Sequence, residues 1–278
     1  MRLALLLGAT AGALLAASPI VVHGHRGARA ARPENTIPAF EYAIREGVDV
    51  LELDVAVTRD DVLVVSHDPR LNPAICTSPG GSRVIHEVTL AELKQWDCGT
   101  LKNPGFANQQ SAPGARVPTL DEVLALAPRG KFGFNIETKI FPKEPQLTPP
   151  PERFAEMMLA ALRKHKVESR TIVQSFDFRT LVAMRKLDPK IRLAALFSNT
   201  QEDFVAITRR AQADYASPHF SLVTPEKVKA AHDAGVEVVA WTPNKPEDWR
   251  KMVDAKVDAI ITDDPAGLIA WLKSKGLR

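Results

Sequence analysis

The stretch "VLELDVAVT", Val50–Thr58, decides how this chain is read. It is a short β-branched run interrupted only by Glu52 and Asp54. The two acids stand two residues apart, so in a strand they point to the same side. Two carboxylates side by side repel each other and are costly to bury unless something positive lies between them. The stretch is therefore read as a buried strand whose paired acids call for a cation.

Similar runs recur on either side of it. Strands are expected at Ile20–His23, Val50–Val57, Lys131–Lys139, Thr171–Phe176, Ile191–Phe197, Asp214–Ser217, Val236–Trp241 and Ala259–Thr262. Between them, apolar spacing near 3.6 predicts helices at Ile37–Glu46, Thr119–Ala127, Glu152–Lys166, Phe178–Leu187, Glu202–Ala211, Pro225–Ala234, Pro246–Ala255 and Ala266–Lys273. Thr224-Pro225 and Asp264-Pro265 place a capping oxygen ahead of a first-turn proline, and Gly47 and Gly235 stand where helices should stop. Eight strand–helix pairs make the α/β class a (β/α)8 TIM-type barrel, with a doubly wound sheet as the alternative architecture. One segment, Val62–Val117, interrupts the rhythm after the second strand. It opens with "VLVVSHDP", and an inserted subdomain over 69–118 is expected to cap one end of the barrel. "FPKEPQLTPPP", Phe141–Pro151, reads as an extended loop.

The chemistry-bearing residues gather at strand ends. In "FNIETK", Glu137 and Lys139 share a face as Glu52 and Asp54 do. Taken singly, Glu52 or Glu137 could be salt-bridged inside a barrel. Taken together, three acids from neighbouring strands form an oxygen-only set suited to one divalent cation, Ca2+ or Mg2+, rather than zinc. His25 and Arg26 end the first strand and His67 ends "VLVVSH". Strand C-termini are where barrel enzymes carry chemistry. Two histidines, a metal and an arginine suit phosphate ester cleavage, with one histidine removing a proton and the other supplying one. Arg26 and Lys139 would then balance phosphate oxygens. His23 is expected to be a packed or hydrogen-bonded neighbour. Glu34 and Asn35 are expected to brace Arg26 and its loop, and "PENT" also reads as a helix N-cap. Asp68 either orients His67 or caps the next turn. Trp241 reads as an apolar wall or as core, His219 as a pocket-wall residue, and Trp96, Trp249 and Trp271 as helix packing.

These motifs carry a resemblance. "GHRGARAARPENTIPAF", "LELDVAVTRDDVLVVSHDP", "FNIETK", "VQSFD", "AWTPN" and "DAIITDDP" resemble, in order, those of the glycerophosphodiester phosphodiesterase family, from about Ile20 to Ala270. The resemblance implies a TIM-type barrel, a divalent metal on Glu52, Asp54 and Glu137, acid–base roles for His25 and His67, and phosphate contacts from Arg26 and Lys139. It implies hydrolysis of sn-glycero-3-phospho-alcohols to glycerol 3-phosphate and an alcohol. The alternatives are a related phosphodiesterase acting on a lysolipid or polymeric glycerophosphate, or a catalytically silent barrel that binds. Pro243 within "AWTPN" and His23 beside the motif histidine are the departures, and neither touches a metal position.

Composition bounds the partners. With 278 residues, 45% hydrophobic and 25% charged, the chain can bury a full core. A net charge of +3 without a Lys/Arg block interleaved with aromatics gives no expectation of nucleic-acid binding. A small-molecule substrate is the expected partner. "MRLALLLGATAGALLAASPI" reads as a secretory signal, residues 1–17, ahead of a barrel domain at 18–278. Its apolar run is shorter than the roughly 20 residues that span a bilayer. Export to the periplasm or beyond then makes Cys76 and Cys98 an expected disulfide.

Overall fold

The computed structural model describes residues 20–81 and 83–278; the expected signal segment 1–17 lies outside the described residues. In chain order the elements are β1 (Val21–Gly24), α1 (Ile37–Glu46), β2 (Val50–Val57), β3 (Leu63–Val65), α2 (Leu90–Leu93), α3 (Leu120–Leu124), β4 (Gly133–Thr138), α4 (Pro151–His165) and β5 (Thr171–Ser175). They continue as α5 (Phe178–Leu187), β6 (Arg192–Phe197), α6 (Phe204–Arg210), β7 (Tyr215–Pro218), α7 (Pro225–Asp233), β8 (Glu237–Trp241), α8 (Pro246–Asp254), β9 (Ala259–Thr262) and α9 (Pro265–Ser274). Leaving β3 aside, the strands are parallel in the order β1-β9-β8-β7-β6-β5-β4-β2, and β2 pairs again with β1. The sheet therefore closes on itself as an eight-stranded (β/α)8 barrel, and the doubly wound alternative falls.

The two-residue period of β2 explains how one strand serves two environments. Leu51, Leu53, Val55 and Val57 join the large core between sheet and helices, with Phe40, Phe134, Phe154 and Phe204. Glu52 and Asp54 face the other way, into the barrel, where they stand in register with Asn135 and Glu137 of β4. Helix starts follow the capping chemistry in most cases. Asp177, Asp203, Thr224 and Asp264 each accept an amide from the first turn of α5, α6, α7 and α9.

The structure corrects three local expectations. Thr36 occupies the N-cap position of α1, but its hydroxyl donates to the Pro33 carbonyl at 2.6 Å instead of accepting a helix amide. The helix expected over Thr119–Ala127 stops at Leu124 and gives way to a 3-10 turn at Ala127–Arg129, where Pro128 cannot continue the ladder. Trp96 is not helical, because α2 ends at Leu93; it packs within the insertion core instead.

The insertion has its own small core, built from Ala56, Val64, Leu71, Cys76, Ile85, Val88, Leu93, Trp96, Cys98 and Val117. It starts with β3, which runs antiparallel to the end of β2 (Val55 opposite Val65) and delivers His67 to the barrel mouth. Cys76 and Cys98 are bonded. The adjacent Asp97 organises the following loop: its carboxylate accepts the amides of Gly99, Thr100 and Gly114 and the Thr100 hydroxyl, at 2.7–2.9 Å. Burial opposes its charge, but these donors outweigh that and pull its pKa from 3.8 to about 2. An acid with a depressed folded pKa adds stability that is complete above its unfolded value and drains as pH falls through the folded one. The melting temperature of Asp97→Asn is expected to lie roughly 2–4 °C below wild type at pH 6. That gap should close between pH 4 and pH 2, and a gap of constant size in thermal melts across this range would show that the carboxylate's charge is not what matters.

Candidate active site

The C-terminal end of β1 turns sharply through His25, Arg26 and Gly27, with φ of 49° at Arg26 and 85° at Gly27. No side chain fits at Gly27, because a Cβ there would come within 2.7 Å of the Ala39 backbone. The tight turn aims His25 and Arg26 back into the barrel mouth. The Arg26 amide donates to Glu52 Oε2 at 2.9 Å, which fixes the turn to β2.

Glu52, Asp54 and Glu137 are buried, and one oxygen from each lies within 4.8 Å of the others. Two cations pack against them. Arg26 Nε lies 3.2 Å from Asp54 Oδ2, and Lys139 Nζ lies 2.7 Å from Glu137 and 3.7 Å from Asp54. Asn35 Nδ2 donates to Asp54 at 3.0 Å and Gln174 Nε2 to Glu52 at 2.8 Å. The charges are unequal: three acids face two cations. Burial works against ionisation of Asp54, but Arg26, His67, Lys139 and His25 outweigh it and hold its pKa far below the usual range. Burial and the charge of Asp54 push Glu52 well up, and burial also raises Glu137 despite Lys139. A further positive charge is what this group lacks. A divalent cation among three carboxylate oxygens would supply it, and the donor set is the hard, oxygen-only type that Ca2+ and Mg2+ take.

The chain matches the model of the Glycerophosphoryl diester phosphodiesterase family over residues 25–267. The chain belongs to this family. It is similar to the glycerophosphodiester phosphodiesterase of Caldanaerobacter subterraneus subsp. tengcongensis, at 34% identity covering 92% of this chain and 99% of the relative. A solved structure from Silicibacter pomeroyi DSS-3, described as a candidate glycerophosphoryl diester phosphodiesterase, is 33% identical with a TM-score of 0.88, covering 93% of this chain and 95% of that one. An Oleispira antarctica phosphodiesterase, solved in complex with the product sn-glycerol-3-phosphate, shares the fold at a TM-score of 0.79 and 24% identity, covering 92% and 97%.

In this glycerophosphoryl diester phosphodiesterase family member the two histidines are held alike. His25 Nδ1 is 2.5 Å from Asp263 Oδ1, and His67 Nδ1 is 2.7 Å from Asp68 Oδ1. Each carboxylate engages Nδ1 and leaves Nε2 for other partners; that of His25 points toward the acids, 3.9 Å from Glu52 Oε2. Burial lowers the His25 pKa against the pull of Asp263. Of the two roles open to Asp68, the structure shows the contact with His67. His23 lies deeper in the barrel, where burial pushes its pKa down to about 3 and its ring meets Asn135 at 3.3 Å. Glu34 contacts Arg26 at 2.5 Å, and Asn35 donates its backbone amide to the Arg26 carbonyl at 3.0 Å while its side chain donates to Asp54.

Trp241 ends β8 and donates through Nε1 to the Ser217 carbonyl at 2.9 Å. Its ring meets Phe176 edge-on at 5.5 Å and His219 at 5.0 Å, so these three form an aromatic wall at the ends of β5, β7 and β8. Phe176 is 47% exposed. Asp263, Asn244, Gln174 and Phe176 are additions to the residues expected from sequence. Asp263 sits directly after β9, and Asn244 holds it from both sides, donating to Oδ2 at 2.8 Å and accepting its amide at 2.9 Å. The signal was present: both lie in the quoted motifs "AWTPN" and "DAIITDDP". Asp263→Asn would replace an acceptor at His25 Nδ1 with an amide able to donate, moving the ring proton to Nε2. A kcat loss of about 10- to 100-fold is expected, smaller than the roughly 10²–10⁴ for removing an acid–base histidine outright. An unchanged kcat, with the melting temperature kept, would separate Asp263 from the chemistry.

Proposed function

We propose that the chain hydrolyses sn-glycero-3-phospho-alcohols to glycerol 3-phosphate and the free alcohol, with Ca2+ or Mg2+ held by Glu52, Asp54 and Glu137. The observation that carries this is the paired arrangement of His25 and His67, each backed by a carboxylate, beside a buried acid cluster flanked by Arg26 and Lys139. The bound cation would neutralise charge that builds on the phosphate oxygens.

The protein's own groups account for the proton movements. The phosphate binds against Arg26, which offers a planar fork, and Lys139, which offers a point charge. One histidine, neutral at Nε2, takes the proton from the glycerol hydroxyl next to the phosphorylated carbon. That oxygen attacks phosphorus, an intramolecular step with a large effective molarity. The other histidine, protonated, gives its proton to the departing alcohol oxygen as the P–O bond breaks. Water then opens the cyclic 2,3-phosphate at its O2–P bond with the roles reversed, which returns both histidines to their first state. Trp241 supports the glycerol or alcohol as an apolar wall.

A panel of glycerophosphodiesters assayed with and without chelator tests this. Turnover is expected to vanish on chelation and to return with Ca2+ or Mg2+. Within the panel, a 2-deoxy analogue of the glycerol moiety should be cleaved at least ~10³-fold more slowly. Full activity without metal would remove the metal assignment, and equal kcat on the deoxy substrate would point to direct attack by water. No turnover of any member would favour a barrel that only binds.

We also propose that the chain is exported, with residues 1–17 as the cleaved signal. The charged-then-apolar leader supports this, as does the Cys76–Cys98 bond, of a kind that persists in oxidising compartments. Among the described residues no helix is long and apolar enough to cross a membrane. The mass of the protein recovered outside the cytoplasm should match a chain starting at Ser18; an intact Met1 terminus would count against cleavage.

A further inference from the structure

The far loop of the insertion, residues 99–116, reaches back over the turn that carries Arg26. Gln109 is 1% exposed in a loop whose neighbours are mostly exposed. Its Nε2 donates to the carbonyls of Arg29 and Arg32, at 2.7 and 3.1 Å, and its Oε1 accepts the Asn103 amide at 2.7 Å. The Gln110 amide donates to the Ala31 carbonyl at 2.9 Å, and the Arg29 guanidinium lies over the Phe106 ring at 5.2 Å. The loop is therefore fastened along the whole stretch from Arg29 to Arg32, and this fastening places one side chain, Asn103, against the site.

Asn103 uses both ends of its amide. Oδ1 accepts the Gly105 amide at 2.9 Å and holds the local turn, while Nδ2 donates to Glu34 Oε2 at 3.1 Å. Glu34 is almost fully covered, its side chain 7% exposed. One of its oxygens takes Arg26 Nη1 at 2.5 Å and the other takes Arg29 Nη2 at 2.9 Å as well as Asn103. The directional hold on the Arg26 side chain is therefore the Nη1 bond to Glu34; Nε lies 3.2 Å from Asp54 as a charge contact without hydrogen-bond geometry. A guanidinium recognises phosphate through the direction of its planar fork, so whatever fixes that plane sets the binding geometry. Without the Asn103 donor, Glu34 would be held only by two arginines, whose long side chains could carry it to other rotamers.

We propose that Asn103 of the insertion is a positioning residue for substrate phosphate: it fixes Glu34, and Glu34 sets the plane of Arg26. The proposal rests on Arg26 as a phosphate ligand. It gives the insertion a part in binding the common phosphate of all substrates, besides any part in choosing among their alcohols.

Asn103→Ser tests it in the full-length, metal-loaded protein. Serine can still accept the Gly105 amide and keep the turn, but it is too short to reach Glu34 and brings no charge. KM is expected to rise about 3- to 10-fold with kcat within about twofold, the signature of lost uniform binding. In a Glu34→Gln background the same change should add nothing, because residues acting through one chain of contacts are not additive. Should the serine variant fold poorly, Asn103→Asp keeps the shape and the turn acceptor but replaces the donor with a charge that repels Glu34, so KM should rise further, and most of that rise should vanish in the Glu34→Gln background. An unchanged KM, or effects that add in full in the double variant, would overturn the proposal while leaving the assigned activity in place. Arg26→Ala with an unaltered KM would remove the phosphate role of Arg26, and this proposal with it.

Discussion

Everything at the mouth of this barrel is arranged around the mutual repulsion of Glu52, Asp54 and Glu137. Parallel pairing of β2 with β4 puts Asp54 and Glu137 opposite each other in register, so the sheet itself brings two carboxylates together. Burial then removes the water that would otherwise screen them. The surrounding donors can be understood as responses to that conflict: Arg26 and Lys139 as counter-charges, Asn35 and Gln174 as neutral donors, and the Arg26 amide as a fixed dipole. Even with these in place, Glu52 and Glu137 are raised toward their protonated forms. The protein's own groups leave the cluster short of charge balance, as an oxygen-only site able to hold a cation requires.

The same wall of the barrel is polar well below the mouth. Gln174 donates to Glu52 and accepts from Asn135, which in turn meets His23. Val239 of β8 and Ala259 and Ile261 of β9 form a small apolar cluster with Tyr215 and Trp241. At the mouth, the charged groups stand on β1, β2 and β4 and handle the phosphate in the proposed reaction, while the rings of Phe176, His219 and Trp241 stand at the ends of β5, β7 and β8. A diester with an anionic centre and a less polar substituent would find a matching surface for each part.

Much of this was legible in the sequence, and the misses have physical causes. Alternation in "VLELDVAVT" is a property of the strand alone, so it correctly sent Glu52 and Asp54 to one face. The strands and most helices likewise follow from local pattern, with ends displaced by a residue or two. Asp263 escaped because its partner His25 is 238 positions away, and only the closing of β9 onto β1 brings them together. Gln174 is 122 positions from Glu52 and was hidden for the same reason. Thr36 misled because a hydroxyl in the N-cap position can serve a nearby carbonyl as easily as a helix amide. Trp96 misled because an apolar ring in a short amphipathic stretch packs as well in a turn as in a helix.

The fastening of the insertion along Arg29–Arg32 also bears on how this scaffold can change over time. An inserted segment joined to its host only at its two ends is a cassette that recombination can exchange freely. Here the segment is also bonded to the end of β2, through Val88 and His86, and its loop at 99–116 is bonded by Gln109 and Gln110 to the backbone of the β1–α1 connection and by Asn103 to Glu34. A foreign insertion of the right length would close the chain and still leave the two carbonyls of Arg29 and Arg32 without their donors. The segment and the β1–α1 turn thus act as one structural unit split across about seventy residues of sequence.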